Sequence, residues 1–309
     1  MEFQSLSVFS PKKVRDALRQ GRLEMALGPF SMRLQGADKS LTSFLLDVYR
    51  DAPVRLCLED VTDVTIHVRA PNFLRKYIRR QVIPDPGFIV PAVPLPPTLA
   101  PLALEMGLNL SVALKCCRFT TFHAAVVGSD KGCILISANS GGGKSTLASA
   151  LMEEGYRLFS DEFGLLDHGN TVLHPYPRPV SLKGQSIQIV KNFAGVEWMS
   201  KTLSGTPKGD IAYRRARASD IASANQPLPA KLILFPSFQE GATSTTKEIS
   251  KPEALMKLIP SSTNYHLLGE PAFTSLVRMV SGARAYEITY GSTAESLRIT
   301  TELAEGTDL

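Results

Sequence analysis

The sequence predicts an α/β protein whose phosphate-binding core, residues 96–309, follows a small N-terminal α+β domain, residues 1–95. Three observations support this prediction. An apolar strand, a glycine-rich turn and a helix-forming segment follow one another at 134–154, in the order of a P-loop. Residues 1–90 mix strand-like alternation with short helical patterns. The proline-rich stretch 91–101 separates the two parts, because proline interrupts both helices and strands.

The N-terminal part contains patterns of both element types. Helical spacing occurs at 14–22 and 40–49, whereas 23–35 (LEMALGPFSMRLQ) alternates as a pair of strands does, and 61–70 predicts another strand. Beyond the prolines, 102–117 predicts a helix with apolar residues on more than one face, which is typical of a buried helix. We therefore expect this helix to pack against the following core.

The core is predicted to be rich in strands. The segments 123–129 (HAAVVGS) and 132–138 (GCILISA) predict a hairpin that leads into the P-loop. After the P-loop helix, 157–167 predicts a strand, an acidic site and a second strand, and 171–184 is expected to continue the sheet. A stretch at 192–228, rich in Ser, Gly, Lys and Arg, predicts a mobile loop. The remaining predictions are strands at 230–238 and 284–291, helices at 252–259 and 270–281, and a C-terminal helix capped by Ser292 with Glu295 three residues later.

The P-loop motif itself is residues 134–146 (ILISANSGGGKST). Its glycines let backbone N–H groups converge on phosphate oxygens, and the following helix points its positive end at the same oxygens. Lys144 can reach the β- and γ-phosphates, and the Ser145 hydroxyl can ligate Mg²⁺. ATP and Mg²⁺ are therefore the expected cofactors. The residues predicted to bind them are Asn139, Ser140, Gly141, Gly142, Gly143, Lys144, Ser145 and Thr146.

One position departs from the usual P-loop pattern. The pattern opens with glycine, and in this sequence that position is Ala138. The alanine side chain is a single methyl group, so we expect the loop to accommodate it. The motif is thus a variant whose lysine and hydroxyl are intact.

An acidic pair, Asp161–Glu162, follows the apolar run RLF and so lies at the C-terminal end of a predicted strand. In an open α/β sheet that edge binds ligands, and here it is expected to lie close to the P-loop. A P-loop enzyme needs an acidic partner for Mg²⁺, and a kinase needs a carboxylate that takes the proton of the acceptor hydroxyl. His123 begins the strand before the P-loop, where a structural and a catalytic histidine are both compatible with the sequence.

Charge and composition exclude several classes of protein. The net charge of +5 suits an anionic ligand, but basic residues are scattered apart from 75–80 (RKYIRR) and 214–217 (RRAR), so no nucleic-acid partner is predicted. The four cysteines lack the spacing of a zinc site, and the N-terminus lacks a signal-peptide core, which together predict a cytoplasmic protein. Prolines interrupt the apolar stretch 88–114, so no membrane span is predicted.

The segment 123–162 resembles the core of bacterial HPr kinase/phosphorylase, which phosphorylates a serine of a sugar-transport phosphocarrier. His123, the turn at 155–158 and Asp161–Glu162 fall in matching places without gaps. The chain is more similar still to the HPr-kinase-related kinases of the A type. Their short motifs correspond here to 104–109 (LEMGLN), 177–184 (PRPVSLKG) and 206–209 (TPKG).

The resemblance implies an HPr-kinase core of the phosphoenolpyruvate-carboxykinase-like type and a role for each acidic residue. Asp161 would be the general base toward a hydroxyl acceptor, Glu162 would assist with Mg²⁺, and His123 would lie beside Asp161 and tune its proton affinity. Ser181 stands where the classical enzymes carry a metal-binding glutamate, and Lys183 stands where they carry an arginine. This difference argues against phosphorolysis. The classical N-terminal domain is not recognisable in the sequence, which argues against HPr as the substrate.

Four basic residues are further candidates for contacts with phosphate or acceptor. Arg178 and Lys183 lie close to Ser181 in the sequence, where a cation would stabilise charge in the transition state. Lys208 and Arg214 lie in the predicted mobile loop and are expected to close over the phosphates or to dock an acidic acceptor. The alternative for the loop residues is a solvated basic surface.

These observations favour an ATP-dependent kinase that acts on a hydroxyl group, first of all a serine in a protein or peptide. Its predicted catalytic residues are Asp161, His123 and Lys144, with Ser145 and Glu162 at the metal. Three alternatives remain open: a small-molecule hydroxyl kinase on the same scaffold, a nucleotide-dependent switch or ATPase, and a degenerate nucleotide-binding scaffold. A homo-oligomer is also possible on the resemblance, although the sequence identifies no subunit contacts.

Overall fold

The computed structural model describes residues 2–56, 61–139, 141–307 and 309, and its architecture is mixed α/β. The described strands form two six-stranded and two three-stranded sheets. This confirms the mixed α/β class that the sequence predicts. The proposed boundary between residues 1–95 and 96–309 stays a prediction.

The N-terminal part is one sheet covered by helices. Helix α1 shows why its sequence folds locally: the Ser10 hydroxyl accepts from the Lys13 N–H, Pro11 opens the helix and Gly21 ends it in the left-handed region at φ 65°. The elements are β1 Gln4–Ser5, α1 Pro11–Gln20, β2 Leu23–Leu27, β3 Phe30–Gly36, α2 Lys39–Val48, β4 Pro53–Leu56, β5 Val64–Arg69, α3 Phe73–Tyr77, β6 Ile83–Asp85 and α4 Ala100–Lys115.

The strand order of this first sheet is β1-β4-β2-β3-β5-β6, and β2 with β3 forms the hairpin that alternation predicts. Helices α1, α2 and α4 pack against it. The same hydrophobic core also takes in Phe163, Tyr176 and Tyr213, which come from the second part of the chain. The N-terminal unit and the second part therefore share one continuous core.

The second part contributes the remaining elements, which begin directly after α4. They are β7 Phe119–Phe122, β8 Ala125–Gly128, β9 Cys133–Ile136, α5 Lys144–Glu153, β10 Arg157–Ser160, β11 Gly164–Asp167, β12 Leu173–His174, β13 Val180–Lys183, α6 Gln185–Ala194, β14 Leu203–Thr206, β15 Gly209–Arg214, α7 Ala218–Ala222, β16 Ala230–Phe238, β17 Thr245–Glu248, α8 Lys251–Leu258, α9 Tyr265–Leu268, α10 Glu270–Gly282, β18 Arg284–Tyr290 and α11 Thr293–Glu305. At α11 the Ser292 hydroxyl accepts from the Glu295 N–H, as the predicted cap requires.

The central sheet has the order β10-β8-β9-β16-β18-β17. Strands β9, β16 and β18 are parallel, and β8 pairs antiparallel with both β9 and β10. Strand β10 therefore runs in the same direction as β9, and both end at the same edge of the sheet. Helices α5 and α11 pack on one face, and α8 and α10 on the other. The predicted hairpin before the P-loop is confirmed by the β8–β9 pairing.

Two predictions about the strands were wrong. Residues 171–184 do not continue the central sheet, because β12 joins the sheet β12-β11-β7 and β13 joins the sheet β13-β15-β14. The stretch 192–228 is largely ordered structure, since it contains β14, β15 and α7. Ile211 and Tyr213 of β15 are buried in the N-terminal core, which fixes this strand.

The helical stretch Pro97–Lys115 is apolar and long enough to cross a membrane by length and composition alone. Of its most apolar window, 56% is buried inside the protein, as in the core helix of a soluble protein. Pro101 lies in the first turn of α4, where proline is tolerated, and the other prolines of the stretch 88–114 precede the helix, so none of them interrupts it.

Candidate active site

The glycine-rich loop between β9 and α5 lies at the edge where β9 ends. Gly143 caps α5 with φ 85°, and the Gly142 N–H donates to the Asn139 carbonyl at 3.0 Å. Because the cap residue is glycine, it offers no side chain to the first N–H groups of the helix. These groups point to the loop and are the donors that an anion would use.

The fit around the loop explains its residue types. A Cβ atom at Gly143 would lie 2.2 Å from the Tyr290 hydroxyl oxygen, and the left-handed φ independently favours glycine. The Tyr290 hydroxyl donates to the Gly142 carbonyl at 3.1 Å. A Cβ at Gly142 would meet the Ala138 methyl at 2.8 Å, so the alanine that replaces the first glycine of the pattern fits only because residue 142 has no side chain.

Lys144 begins α5 and is only 8% exposed. Its ammonium donates to the Ala138 carbonyl at 2.6 Å, which folds the side chain back over the loop. Burial lowers the pKa of Lys144, while the carboxylates of Asp161 and Glu162 oppose that change. The lysine is thus an ammonium held between the loop and the acidic pair.

A cavity of about 420 Å³, here called the P-loop cavity, opens on this loop. The predicted residues that line it are Asn139, Gly141, Gly142, Gly143, Lys144, Ser145 and Thr146. Ser140 lies outside the described residues. Phe238 and Tyr290, at the ends of the parallel strands β16 and β18, contribute an aromatic edge. The volume and lining are typical of a small-ligand site with many backbone donors.

Asp161 follows β10 and is almost completely buried, at 4% exposure. The Ser181 N–H donates to Asp161 Oδ2 at 3.0 Å, whereas Oδ1 is buried and accepts no hydrogen bond of normal geometry from the described residues. Burial, followed by the charge of Glu162, raises the pKa of Asp161 to about 7. The Ser145 hydroxyl, the Ser181 N–H and Lys144 oppose this rise. A free acceptor atom on a carboxyl with this pKa suits a general base.

Glu162 and His123 form the exposed side of the same cluster. His123 Nδ1 lies 3.5 Å from Glu162 Oε2, and the His123 side chain is 49% exposed. Partial burial and then the charge of Lys144 lower the pKa of His123, while Glu162 opposes them. The resemblance predicts His123 beside Asp161. Its imidazole contacts Glu162, and the histidine lines the same two cavities as Asp161.

A second cavity, of about 340 Å³, lies across the acidic pair from the first and is here called the α4 cavity. Its walls come from α4, from the segment 176–183 and from the β14–β15 hairpin. Five residues line both cavities, and these are His123, Asp161, Glu162, Ser181 and Lys183. The buried carboxyl of Asp161 therefore lies where the two cavities meet.

The structure brings Arg178 to the α4 cavity rather than to the P-loop cavity. Its guanidinium is 5% exposed and pairs with Glu105, and it also donates to the Asn109 side-chain oxygen at 2.5 Å. The Tyr49 hydroxyl donates to the other Glu105 oxygen at 2.6 Å. The prediction that Arg178 contacts the γ-phosphate is thus not supported, because neighbouring side chains occupy its donors.

Arg214 is also placed differently from the prediction. It is 1% exposed and is absent from the lining of both cavities, and it donates to the Ser149 carbonyl and to Glu153 near the end of α5. A cation at the C-terminal end of a helix satisfies carbonyl groups there. Arg214 therefore anchors β15 to the P-loop helix instead of contacting a ligand.

The other two basic candidates lie at the site. Lys183 ends β13 and lines both cavities, and its charge lowers the pKa values of His123 and Lys144. Lys208 lies at the turn between β14 and β15 and lines the α4 cavity. Both side chains are positioned for an anionic ligand or substrate.

Sequence reasoning missed Tyr290, Glu105 and Tyr49. Glu105 could have been found from the sequence, because a single acidic residue inside the apolar helix 102–117 needs a buried partner. Tyr290 could not have been found in this way, because a strand pattern alone does not show that its side chain contacts Gly142. Among the described residues, no group of three or more His, Cys, Asp and Glu side chains could hold a metal ion by itself. The expected Mg²⁺ ligands, Ser145 and Glu162, would have to be completed by phosphate oxygens, as is usual for Mg²⁺.

Comparison with known proteins finds similarity among solved structures alone. No protein-family model and no curated protein matches this chain. Among solved structures, an HPr(Ser) kinase/phosphatase from Coxiella burnetii is similar over 60% of this chain and 95% of its own, with 16% sequence identity and a TM-score of 0.25. This similarity indicates a distant relationship only.

Proposed function

We propose that this protein is an ATP-dependent kinase that transfers the γ-phosphoryl group to a hydroxyl. The observation that carries the proposal is the buried Asp161 carboxyl at the junction of two cavities, whose Oδ1 accepts no hydrogen bond of normal geometry from any described residue. One cavity has the backbone donors and lysine of a phosphate site. The other is separate and has room for an acceptor.

The residues divide the reaction between them. In the P-loop cavity, the N–H groups at the start of α5 and the Lys144 ammonium hold and neutralise the phosphates. Mg²⁺, held by Ser145 and Glu162 together with phosphate oxygens, would neutralise further charge. The acceptor oxygen attacks the γ-phosphorus, the bond to the bridging oxygen breaks so that ADP leaves, and Asp161 takes the hydroxyl proton.

The electrostatics of the acidic cluster suit this division. A base works best when its pKa lies near the working pH, and burial raises the pKa of Asp161 to about 7. Because the pKa of His123 is lowered, its imidazole is neutral at pH 7 and adds no charge that would counteract the base. Lys183 lies at both cavities, so it can neutralise charge on the transferring group.

The acceptor is a serine in a protein or peptide on the resemblance, and a small-molecule hydroxyl is the second candidate. One observation favours the small molecule. The α4 cavity has a volume of about 340 Å³, which matches the size of small-ligand sites, and residues of α4 form part of its lining. A nucleotide-dependent switch would not need a base aimed into a second cavity, and a degenerate scaffold would not need an intact Lys144 and Ser145.

Phosphate transfer from Mg·ATP to a panel of serine peptides and small hydroxyl compounds tests the proposal. Wild type, Asp161→Ala and the control Asp130→Ala, which changes an exposed turn residue, are compared by mass spectrometry of the acceptors. We expect one acceptor class to be phosphorylated by wild type and control and not by Asp161→Ala. ATP binding without acceptor-stimulated turnover, unchanged by the loss of Asp161, would refute the kinase and support the switch.

A further inference from the structure

The two lysines near the acidic pair have different positions along the site. Lys183 lines both cavities, next to Lys144 and His123, and therefore belongs to the phosphate end. Lys208 lines only the α4 cavity. If the α4 cavity holds the acceptor, Lys208 faces the acceptor and not the nucleotide.

The turn that carries Lys208 has a defined geometry. The Thr206 hydroxyl donates to the Gly209 carbonyl at 2.5 Å and accepts from the Lys208 N–H at 3.1 Å. Thr206 is buried, and Gly209 adopts φ 78°, which glycine tolerates best. The backbone thus holds Lys208 at the cavity, while its side chain is exposed and its ammonium makes no ion pair with any described residue.

The other described residues that line the α4 cavity provide no cation comparable to Lys208 for binding an anion. Arg178 donates hydrogen bonds to Glu105, Asn109 and the Tyr49 and Tyr176 hydroxyls, and its charge is compensated by Glu105. The α4 wall adds the apolar side chains Leu102 and Met106. Among the described residues that line this cavity, Lys208 is therefore the lysine or arginine without an ion pair, apart from the shared Lys183.

The α4 cavity is therefore lined by charges of both signs. Asp161 and Glu162 lie at the end where transfer occurs, and Lys208 lies on the hairpin turn. An anionic group on an acceptor is repelled by the acidic pair and attracted by Lys208, which turns a hydroxyl on the same molecule toward Asp161.

We propose that the acceptor is a hydroxylated compound with an anionic group, a carboxylate or a phosphate, which Lys208 binds while the hydroxyl faces Asp161. This inference rests on the proposed kinase function. The anionic group has two possible sources, a free hydroxy acid or an acidic side chain next to a serine in a peptide, and the chemistry recognised is the same.

Matched pairs of probes test the inference in two arms. The first arm compares glycerate and 3-hydroxybutyrate with their methyl esters, and the second compares the blocked tripeptides Ala-Ser-Glu and Ala-Ser-Gln. Binding is measured by calorimetry in the presence of Mg²⁺ and a non-hydrolysable ATP analogue, and transfer is measured separately with Mg·ATP. The variants are Lys208→Gln, Lys208→Arg and the control Lys201→Gln, which removes another exposed lysine near the same hairpin.

For wild type, we expect the acidic member of at least one pair to bind about tenfold more tightly than its neutral partner, which corresponds to one favourable charge contact. Lys208→Gln should bring this ratio close to one, whereas Lys208→Arg and Lys201→Gln should keep it. The Kd for the ATP analogue should not change. The preference should also weaken as salt rises, because the lysine is exposed.

The outcomes separate this inference from the kinase proposal. Lys208-dependent binding of the acids without any phosphate transfer would refute the kinase and leave the anion site standing. Transfer to some acceptor with equal use of acid and neutral partner would refute the anion site alone. A ratio that survives in Lys208→Gln, or wild type that binds none of the acids at millimolar concentration, would also overturn it.

Discussion

The two cavities of this protein meet at one carboxyl group but are built in different ways. The P-loop cavity is built around one continuous segment, residues 139 and 141–147, and is completed by the ends of neighbouring strands and by residues of α6 and α11. The α4 cavity is assembled from segments far apart in the sequence, including α4, 176–183 and the β14–β15 hairpin. Its shape therefore depends on how the N-terminal unit packs against the rest of the chain. This difference predicts that substitutions in the P-loop cavity and in the α4 cavity affect different properties of the protein.

The largest effect is expected where the cavities meet. Asp161→Asn keeps the shape of the side chain and removes its ability to accept a proton, so kcat should fall by about 10²–10⁴-fold. Mg·ATP binding should persist, because Lys144 and the loop N–H groups are untouched. Transfer kinetics with the best acceptor and binding of an ATP analogue measure the two quantities. Asp130→Asn is the control, and transfer by Asp161→Asn within a few-fold of wild type would rule out Asp161 as the base.

The α4 cavity should depend on its buried ion pair for stability. Arg178→Ala leaves Glu105, which is 4% exposed, without its cation, and breaking such a pair costs about 3–5 kcal/mol in the free energy of unfolding. Urea unfolding measures this loss. Arg298→Ala breaks a pair with Glu302 that is more than half exposed on both sides, and should cost less than about 1 kcal/mol. Equal losses of unfolding free energy in the two variants would show that the buried pair stabilises the protein no more than the exposed pair does.

The Arg178→Ala variant should also distinguish the functions of the two cavities. Under conditions in which Arg178→Ala is folded, the KM for the acceptor should rise and the KM for ATP should not. Glu105→Leu combined with Arg178→Met removes both charges and should be more stable than Arg178→Ala alone. A rise in the KM for ATP instead would place Arg178 in the function of the P-loop cavity, contrary to the contacts described above.

Adding a single methyl group to a glycine of the P-loop should lower the stability of the protein. Gly143 and Gly141 both have φ 85°, so alanine costs about 1–2 kcal/mol at either position through backbone strain. Only at Gly143 does the new Cβ also meet the Tyr290 hydroxyl, whereas the Cβ at Gly141 meets no atom within 4 Å. Gly143→Ala should therefore be the less stable variant in urea unfolding, and adding Tyr290→Phe should restore part of the loss. A Gly141→Ala variant as unstable as Gly143→Ala would contradict this.

The sequence was informative where the chemistry depends on neighbours along the chain. The order of strand, loop and helix, and an acidic pair directly after β10, required only local pattern, and the structure brings Lys144 and Asp161 to one cavity. That edge could be anticipated because β10 and β9 run in the same direction through the shared partner β8. The α/β class followed from the same periodicity.

The rest depended on packing that no local pattern encodes. Arg178 and Arg214 were predicted as ligand contacts because charge is visible in a sequence while its partner is not. Their partners, Glu105 and Glu153, lie more than 60 residues away along the chain. The ordered strand β15 was mistaken for a mobile loop because its turns are rich in glycine and lysine, whereas Ile211 and Tyr213 are buried in the core of the N-terminal unit.

The rate of transfer should depend on pH, with an expected change of about tenfold for each pH unit below the pKa of the base. Burial raises the pKa of Asp161 to about 7, and the base must be ionised to accept a proton. The kcat/KM for the acceptor should thus rise with pH up to about 7 and level off above it. Binding of an ATP analogue should change less over this range. A transfer rate independent of pH between 5.5 and 8 would mean that Asp161 is not the group that titrates.

The stability of the protein should also depend on pH through Asp161, and the sign of this dependence distinguishes burial from other causes of the raised pKa. Because the folded-state pKa of Asp161 is above its value in the unfolded chain, the folded protein binds more protons between about pH 4 and 7. Its contribution to stability is present at low pH and is lost as pH rises through about 7. Asp161→Asn should therefore become more stable than wild type as pH rises from 4 to 7, with a constant difference above that. Thermal unfolding of both proteins at pH 5 and pH 8 measures this. Should Asp161→Asn instead be the less stable protein at pH 8, the carboxylate would be held by favourable contacts, and Asp161 would be a structural anion instead of a strained base.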